Sequence, residues 1–106
     1  MGEQHPNVAT SYHNIGSCLD SLGEYGEALV EYRKALEIRK ALLGDRHPDV
    51  AMSYNNIGHC LSSQGKSVEA LEEHLKALEI RKKVLGEEHP DTITSKNNVC
   101  WCETKI

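Results

Sequence analysis

No apolar run in the 106-residue chain approaches the roughly 20 residues that span a bilayer, so a membrane-spanning role is excluded and a soluble chain is expected. Basic surface is lacking too. Twelve Lys plus Arg stand against sixteen Asp plus Glu, a net charge of −4, and the cations are dispersed among acids. That pattern argues against a nucleic-acid partner. The opening stretch Met1-Gly2-Glu3-Gln4-His5-Pro6 has neither the basic nor the apolar part of a secretory signal, and four cysteines without such a signal point to reduced thiols in a cytoplasmic compartment. Nothing resembles a phosphate loop, a His-Glu-x-x-His metal site or a nucleophile elbow. The chain therefore reads as a non-enzyme without a cofactor.

What is present is a period. His-Pro recurs at His5-Pro6, His47-Pro48 and His89-Pro90, a constant spacing of 42 residues. Residues 5–46 and 47–88 align without a gap and share 26 of 42 positions, including Asn14-Ile15-Gly16 with Asn56-Ile57-Gly58 and Ala35–Lys40 with Ala77–Lys82. Residues 1–106 are thus expected to form a single repeat domain: repeat one at 5–46, repeat two at 47–88, and a partial third at 89–106 with room for one helix. Gly2–Pro6 also matches the junctions Gly44–Pro48 and Gly86–Pro90. The chain is accordingly expected to be a piece of a longer array, beginning in the last turn of a preceding repeat.

Within a repeat, Val50, Tyr54, Ile57 and Leu61 fall on one face of a helix over about 49–64, which Gly65 ends. Asp49 is a natural N-cap or first-turn residue, as are Asn7 and Asp91. A second helix over 67–85 carries a Leu71, Leu75, Leu78 stripe beside Ala70 and Ala77, and its counterpart runs over 25–43. The pairs Glu72–Lys76 and Glu79–Lys83 have i,i+4 spacing.

These residues resemble the tetratricopeptide repeat, with Tyr54, Ile57-Gly58, Gly65, Ala70 and Ala77 in the places of its pattern, and Tyr12, Ile15-Gly16, Gly23, Ala28 and Ala35 doing so one repeat earlier. The 42-residue period with His-Pro and Ala-Leu-Glu-Ile-Arg-Lys is similar to the kinesin light chain type of that family. The resemblance implies an all-α, right-handed α-solenoid of antiparallel helix pairs: two full repeats plus one extra helix. It implies a protein-interaction scaffold holding a peptide segment of a partner on its concave face. His74 in the place of Tyr32, and Cys100 in the place of Gly16 and Gly58, depart from the pattern.

A second, polar face of the first helices carries the candidate peptide-binding residues: His13, Asn14 and Ser17; then Met52, Asn55, Asn56 and His59; then Asn97, Asn98 and Trp101. An amide offers both donor and acceptor, so a row of Asn14, Asn56 and Asn98 suits the backbone of an extended peptide. The same amides also suit a second role, satisfying neighbouring helices within the stack. Trp101 has two readings as well, a ligand anchor or a cover for the open end. The carboxylate clamp of chaperone-binding relatives would need a basic residue on this face, whereas Lys96, the basic residue there, falls at the position of Tyr12 and Tyr54.

Cys18 and Cys60 are one period apart and read as small core side chains, while Cys100 and Cys102 point away from each other on a helix. His5, His47 and His89 read as junction residues making local hydrogen bonds. No metal site is expected. The alternative to a peptide scaffold is a structural array that self-associates, a homo-oligomer joined through its open repeat ends.

Overall fold

A computed structural model describes residues 6–106, which form five helices and no strand. These are α1 (Pro6–Ser21), α2 (Tyr25–Leu43), α3 (Pro48–Ser63), α4 (Ser67–Leu85) and α5 (Pro90–Thr104). Each helix packs on its sequence neighbours, giving a layered stack measuring 42 × 31 × 18 Å. The junction around His5 lies outside the described residues.

The His-Pro-Asp unit starts a helix in a particular way. His47 is the N-cap of α3, and its Nδ1 accepts from the backbone N–H of Asp49 at 3.0 Å; His89 does the same for Asp91 at 3.0 Å. The proline at the first helical position loses nothing by lacking an N–H. Of the two places expected for Asp49, N-cap or first turn, it takes the first turn, where the helix dipole favours its charge, and His47 makes the cap. At the other end, Gly44 and Gly86 close α2 and α4 at φ 89° and 93° with extended ψ. That region of backbone space is open essentially to glycine alone.

Helix pairs meet along alanines. Ala28, Ala35, Ala70 and Ala77 are fully buried, so the buried line on α4 runs through Ala70, His74, Ala77 and Ile80, with the leucine stripe beside it. Leu75 is 45% exposed, and Leu71 and Leu78 only flank the contact. Small side chains draw the backbones together and push bulky ones to the margins. The ring of Tyr32 then lies on the bare backbone of Gly16, where an added Cβ would meet it at 2.8 Å, and His74 lies on Gly58 at the same separation. On the outer edge, Lys76 pairs with Glu73 at 3.3 Å instead of Glu72 and sits 5.4 Å over the Tyr54 ring. Lys34, Glu31 and Tyr12 repeat that arrangement at 3.4 and 5.3 Å.

Successive repeats are joined by buried arginines. Arg39 of α2 donates to Ser53 Oγ of α3 at 2.9 Å, and Arg81 of α4 donates to Ser95 Oγ of α5 at 2.9 Å and to the Asp91 carbonyl at 3.3 Å. Burial lowers the pKa of each guanidinium, and Asp49 or Asp91 opposes that drop.

The two ends of the stack differ. On α1, Ile15 is 48% exposed and Cys18 is exposed, while their counterparts Ile57 and Cys60 are fully buried. Of the two cysteines expected in the core, only Cys60 is there, because no second helix lies against that side of α1 among the described residues. On α5, Lys96 and Cys100 replace the Tyr and Gly that α1 and α3 turn toward their partners, and Lys96 instead pairs with Glu87 at 2.7 Å.

Thr92 occupies the position of Val8 and Val50, fully buried, with no hydrogen-bond partner for its hydroxyl. An orphaned buried hydroxyl costs roughly 1–3 kcal/mol. Thr92→Val, which copies the earlier repeats, should stabilise the chain by about 1–2 kcal/mol in urea unfolding; an unchanged or lower midpoint would contradict this account.

Candidate functional site

The polar face of the first helices is assembled by the stack. His13, Asn55 and Asn97 occupy one equivalent position, and Asn14, Asn56 and Asn98 the next. Hydrogen bonds run diagonally between the two rows: Asn98 Nδ2 donates to Asn55 Oδ1 at 2.7 Å, and Asn56 Nδ2 lies 3.3 Å from His13 Nδ1. Burial, then Arg39, lowers the His13 pKa, which favours the neutral ring. The expected row of three equivalent amides is therefore not uniform. Asn56 and Asn98 use their amide nitrogens to tie adjacent repeats, whereas Asn14 and Asn97 are exposed. Of the two roles open to these amides, the bonds between repeats fill one, and the Oδ1 atoms of Asn56 and Asn98 accept no hydrogen bond from a described residue. Ser17 and Met52 are exposed on the same helices, Met52 to 39%.

Asp20, at the end of α1, gathers several of these groups. Tyr32 donates its hydroxyl to Asp20 Oδ2 at 3.4 Å, and His59 Nε2 lies 3.4 Å from Asp20 Oδ1. The His13 and Tyr32 rings meet at 5.7 Å and 53°. Burial and the Asp20 charge push the Tyr32 pKa up to about 12, and burial pushes the Cys60 thiol up to about 12. Neither group is a candidate nucleophile at neutral pH. Among the described residues, no three His, Cys, Asp or Glu side chains cluster closely enough to hold a metal.

One period later the Tyr32–Asp20 pair becomes His74 and Ser62. A hollow of about 350 Å³ opens there between α3 and α5, lined by Asn55, Asn56, His59, Ser62, Asn98 and Trp101, with His74 at its floor. Trp101 is 55% exposed and carries Lys105 Nζ 4.1 Å above its ring. The structure thus brings Asn55, Asn56, His59, Asn98 and Trp101 around one hollow and leaves Asn14, Ser17, Met52 and Asn97 outside it. Asp20, Ser62 and His74 were not among the expected site residues. Their signal lay in the alignment of the two repeats, at positions that differ.

The sequence profile of the tetratricopeptide repeat family matches residues 1–41, 21–83 and 49–104. This chain belongs to that family. Repeats of this family mediate protein–protein interactions. Among solved structures, the fold is similar to BtubC (BKLC) from P. vanneervenii, at 28% identity and a TM-score of 0.91 over 97% of this chain and 41% of that one. Two structures of the nearly identical TPR-like repeats of a Podosopora anserina protein described as a kinesin light chain, one of them carrying a substitution to methionine, share the fold at 22% identity. Their TM-scores are 0.81 and 0.79, each over 97% of this chain and 49% of the other. The tetratricopeptide stack of this chain spans less than half the length of each. These likenesses identify the five helices as a right-handed α-solenoid with repeats of the kinesin light chain-like type. Comparison with curated proteins gives no match.

His74 provides a titration that reports on the site. Burial first, then His59 and Arg81, lowers its pKa from 6.5 to about 4. Between these values the unfolded tetratricopeptide chain binds a proton that the folded one refuses, so stability rises with pH across the window and is lost as pH falls toward 4. Wild-type urea midpoints should fall more steeply from pH 6.5 to 4 than those of His74→Tyr, which lacks this titration; parallel profiles would refute the assignment.

Proposed function

We propose that this tetratricopeptide stack is an interaction scaffold that holds an extended peptide segment of a protein partner on its first-helix face, taken as the concave one. Supporting this is the arrangement of amides on that face. Cross-repeat bonds fix Asn55, Asn56 and Asn98 in place, while the Oδ1 atoms of Asn56 and Asn98 accept from no described residue. Acceptors held in that way suit backbone N–H groups, the one feature every extended peptide presents. On this reading the binding residues are His13, Asn14, Ser17, Met52, Asn55, Asn56, His59, Asn97, Asn98 and Trp101, with no catalytic step and no cofactor, in a cytoplasmic setting.

A peptide-display selection against the wild-type chain tests this. Binders should be lost when Asn14, Asn56 and Asn98 are replaced together by Ala, while the variant stays folded after losing two hydrogen bonds worth roughly 0.5–1.5 kcal/mol each. Binders indifferent to a folded triple variant would place recognition elsewhere.

A second reading rests on the uncovered side of α1, where Ile15 is 48% exposed although Ile57 is fully buried. It is self-association through that end of the stack. Light scattering over a concentration series should then show a dimer or larger species that Ile15→Glu abolishes, whereas a monomer at every concentration rules the reading out.

A further inference from the structure

The two complete repeats differ at one internal pair that the stack does not need to change. In repeat one, Tyr32 crosses the bare backbone of Gly16 and donates to Asp20 at 3.4 Å. In repeat two, His74 crosses Gly58 in the same way, but the imidazole lacks the outer hydroxyl and Ser62 is shorter than aspartate. The bond has no counterpart, and the space opens into the hollow of about 350 Å³. His74 is only 4% exposed, yet its Nδ1 has no hydrogen-bond partner among the described residues.

We propose that this hollow is a subsite for an uncharged carboxamide side chain, Asn or Gln, projecting from an extended peptide; the inference rests on the peptide-binding reading of this face. The lining selects the chemistry. It contains no carboxylate, lysine or arginine, so a charged side chain would lose its hydration without gaining an opposite charge. Asp20, the carboxylate beside the lining residue His59, is engaged by His59 and Tyr32, and Lys105 lies over the Trp101 ring. An apolar side chain would fit the volume but gain no hydrogen bond from a lining of amides, imidazoles and hydroxyls.

A carboxamide supplies one donor group and one acceptor, and this face already pairs carboxamides in two ways. Asn56 meets the His13 imidazole at 3.3 Å, and Asn98 meets Asn55 at 2.7 Å. A Gln from a partner would meet the neutral His74 ring as Asn56 meets His13. Trp101, more than half exposed at the rim, offers a flat surface for the peptide on either side of that residue.

Trp101 is the sole tryptophan of the chain, so its fluorescence reports occupancy. Short blocked peptides in a Gly/Ser/Ala frame, with Gln, Asn, Glu, Lys or Leu at the centre, are titrated into the wild type and into His74→Tyr/Ser62→Asp. That double variant copies the Tyr32–Asp20 pair and fills the hollow, and an undiminished melting temperature checks that it folds. The Gln or Asn peptide should bind the wild type about fivefold or more tighter than the Glu, Lys and Leu peptides, and the preference should vanish in the variant. Equal affinities, or a preference that survives in the folded variant, overturn the subsite and leave peptide binding by this face standing. Binding by no member of the set also overturns the subsite, while the display selection separately decides the fate of the face. Should the double variant misfold, the imidazole nitrogen resonances of His74 in the wild type decide: they should move with the Gln peptide and stay still with the Leu peptide, and an unmoved ring with both refutes the assignment.

Discussion

The first-helix face depends on the phase between successive repeats, and a buried guanidinium sets that phase. Arg39 to Ser53 and Arg81 to Ser95, both at 2.9 Å, are the same bond drawn twice, forty-two residues apart in sequence. A charge this deeply buried tolerates few positions for its partner, because losing the bond leaves it uncompensated. Apolar contacts alone would allow one helix pair to slide over the next at small cost. With the arginine anchored, the first helices line up so that Asn98 reaches Asn55 and Asn56 reaches His13.

Inside each repeat a different constraint applies. Alanines on the second helix and a glycine on the first bring the two backbones close enough for a ring to lie flat on bare main chain. Any residue other than glycine at Gly16 or Gly58 would collide with that ring at 2.8 Å. The ring itself is free to vary as long as it is planar, which is how Tyr32 and His74 occupy equivalent places with different consequences. Tyrosine spans to Asp20 and closes the surface. Histidine stops short and leaves the hollow open.

The stack is therefore asymmetric even though its repeats are nearly alike. Its α1 end leaves apolar Ile15 uncovered, whereas α5 presents Lys96, tied to Glu87, and Cys100 where α1 and α3 present Tyr and Gly. Apolar side chains reach solvent at both ends all the same, Ile15 on α1 and Ile93 and Trp101 on α5.

Periodicity was enough to determine the helices, their pairing and their boundaries, because His-Pro, the closing glycines and the spaced alanines each act within a few residues of themselves. The polar face could be listed for the same reason, since helical spacing alone assigns His13, Asn56 or Trp101 to one side. What spacing could not decide was which of those amides would be used up by the stack, or which of its two places, N-cap or first turn, Asp49 would take. Nor could it show that Cys18 lies in solvent while Cys60 is buried. Each of these depends on what lies across from a residue at a distance of one helix or one repeat. Only the tertiary structure supplies that neighbour, and the neighbour decides whether a polar group is satisfied, buried or left open to a partner.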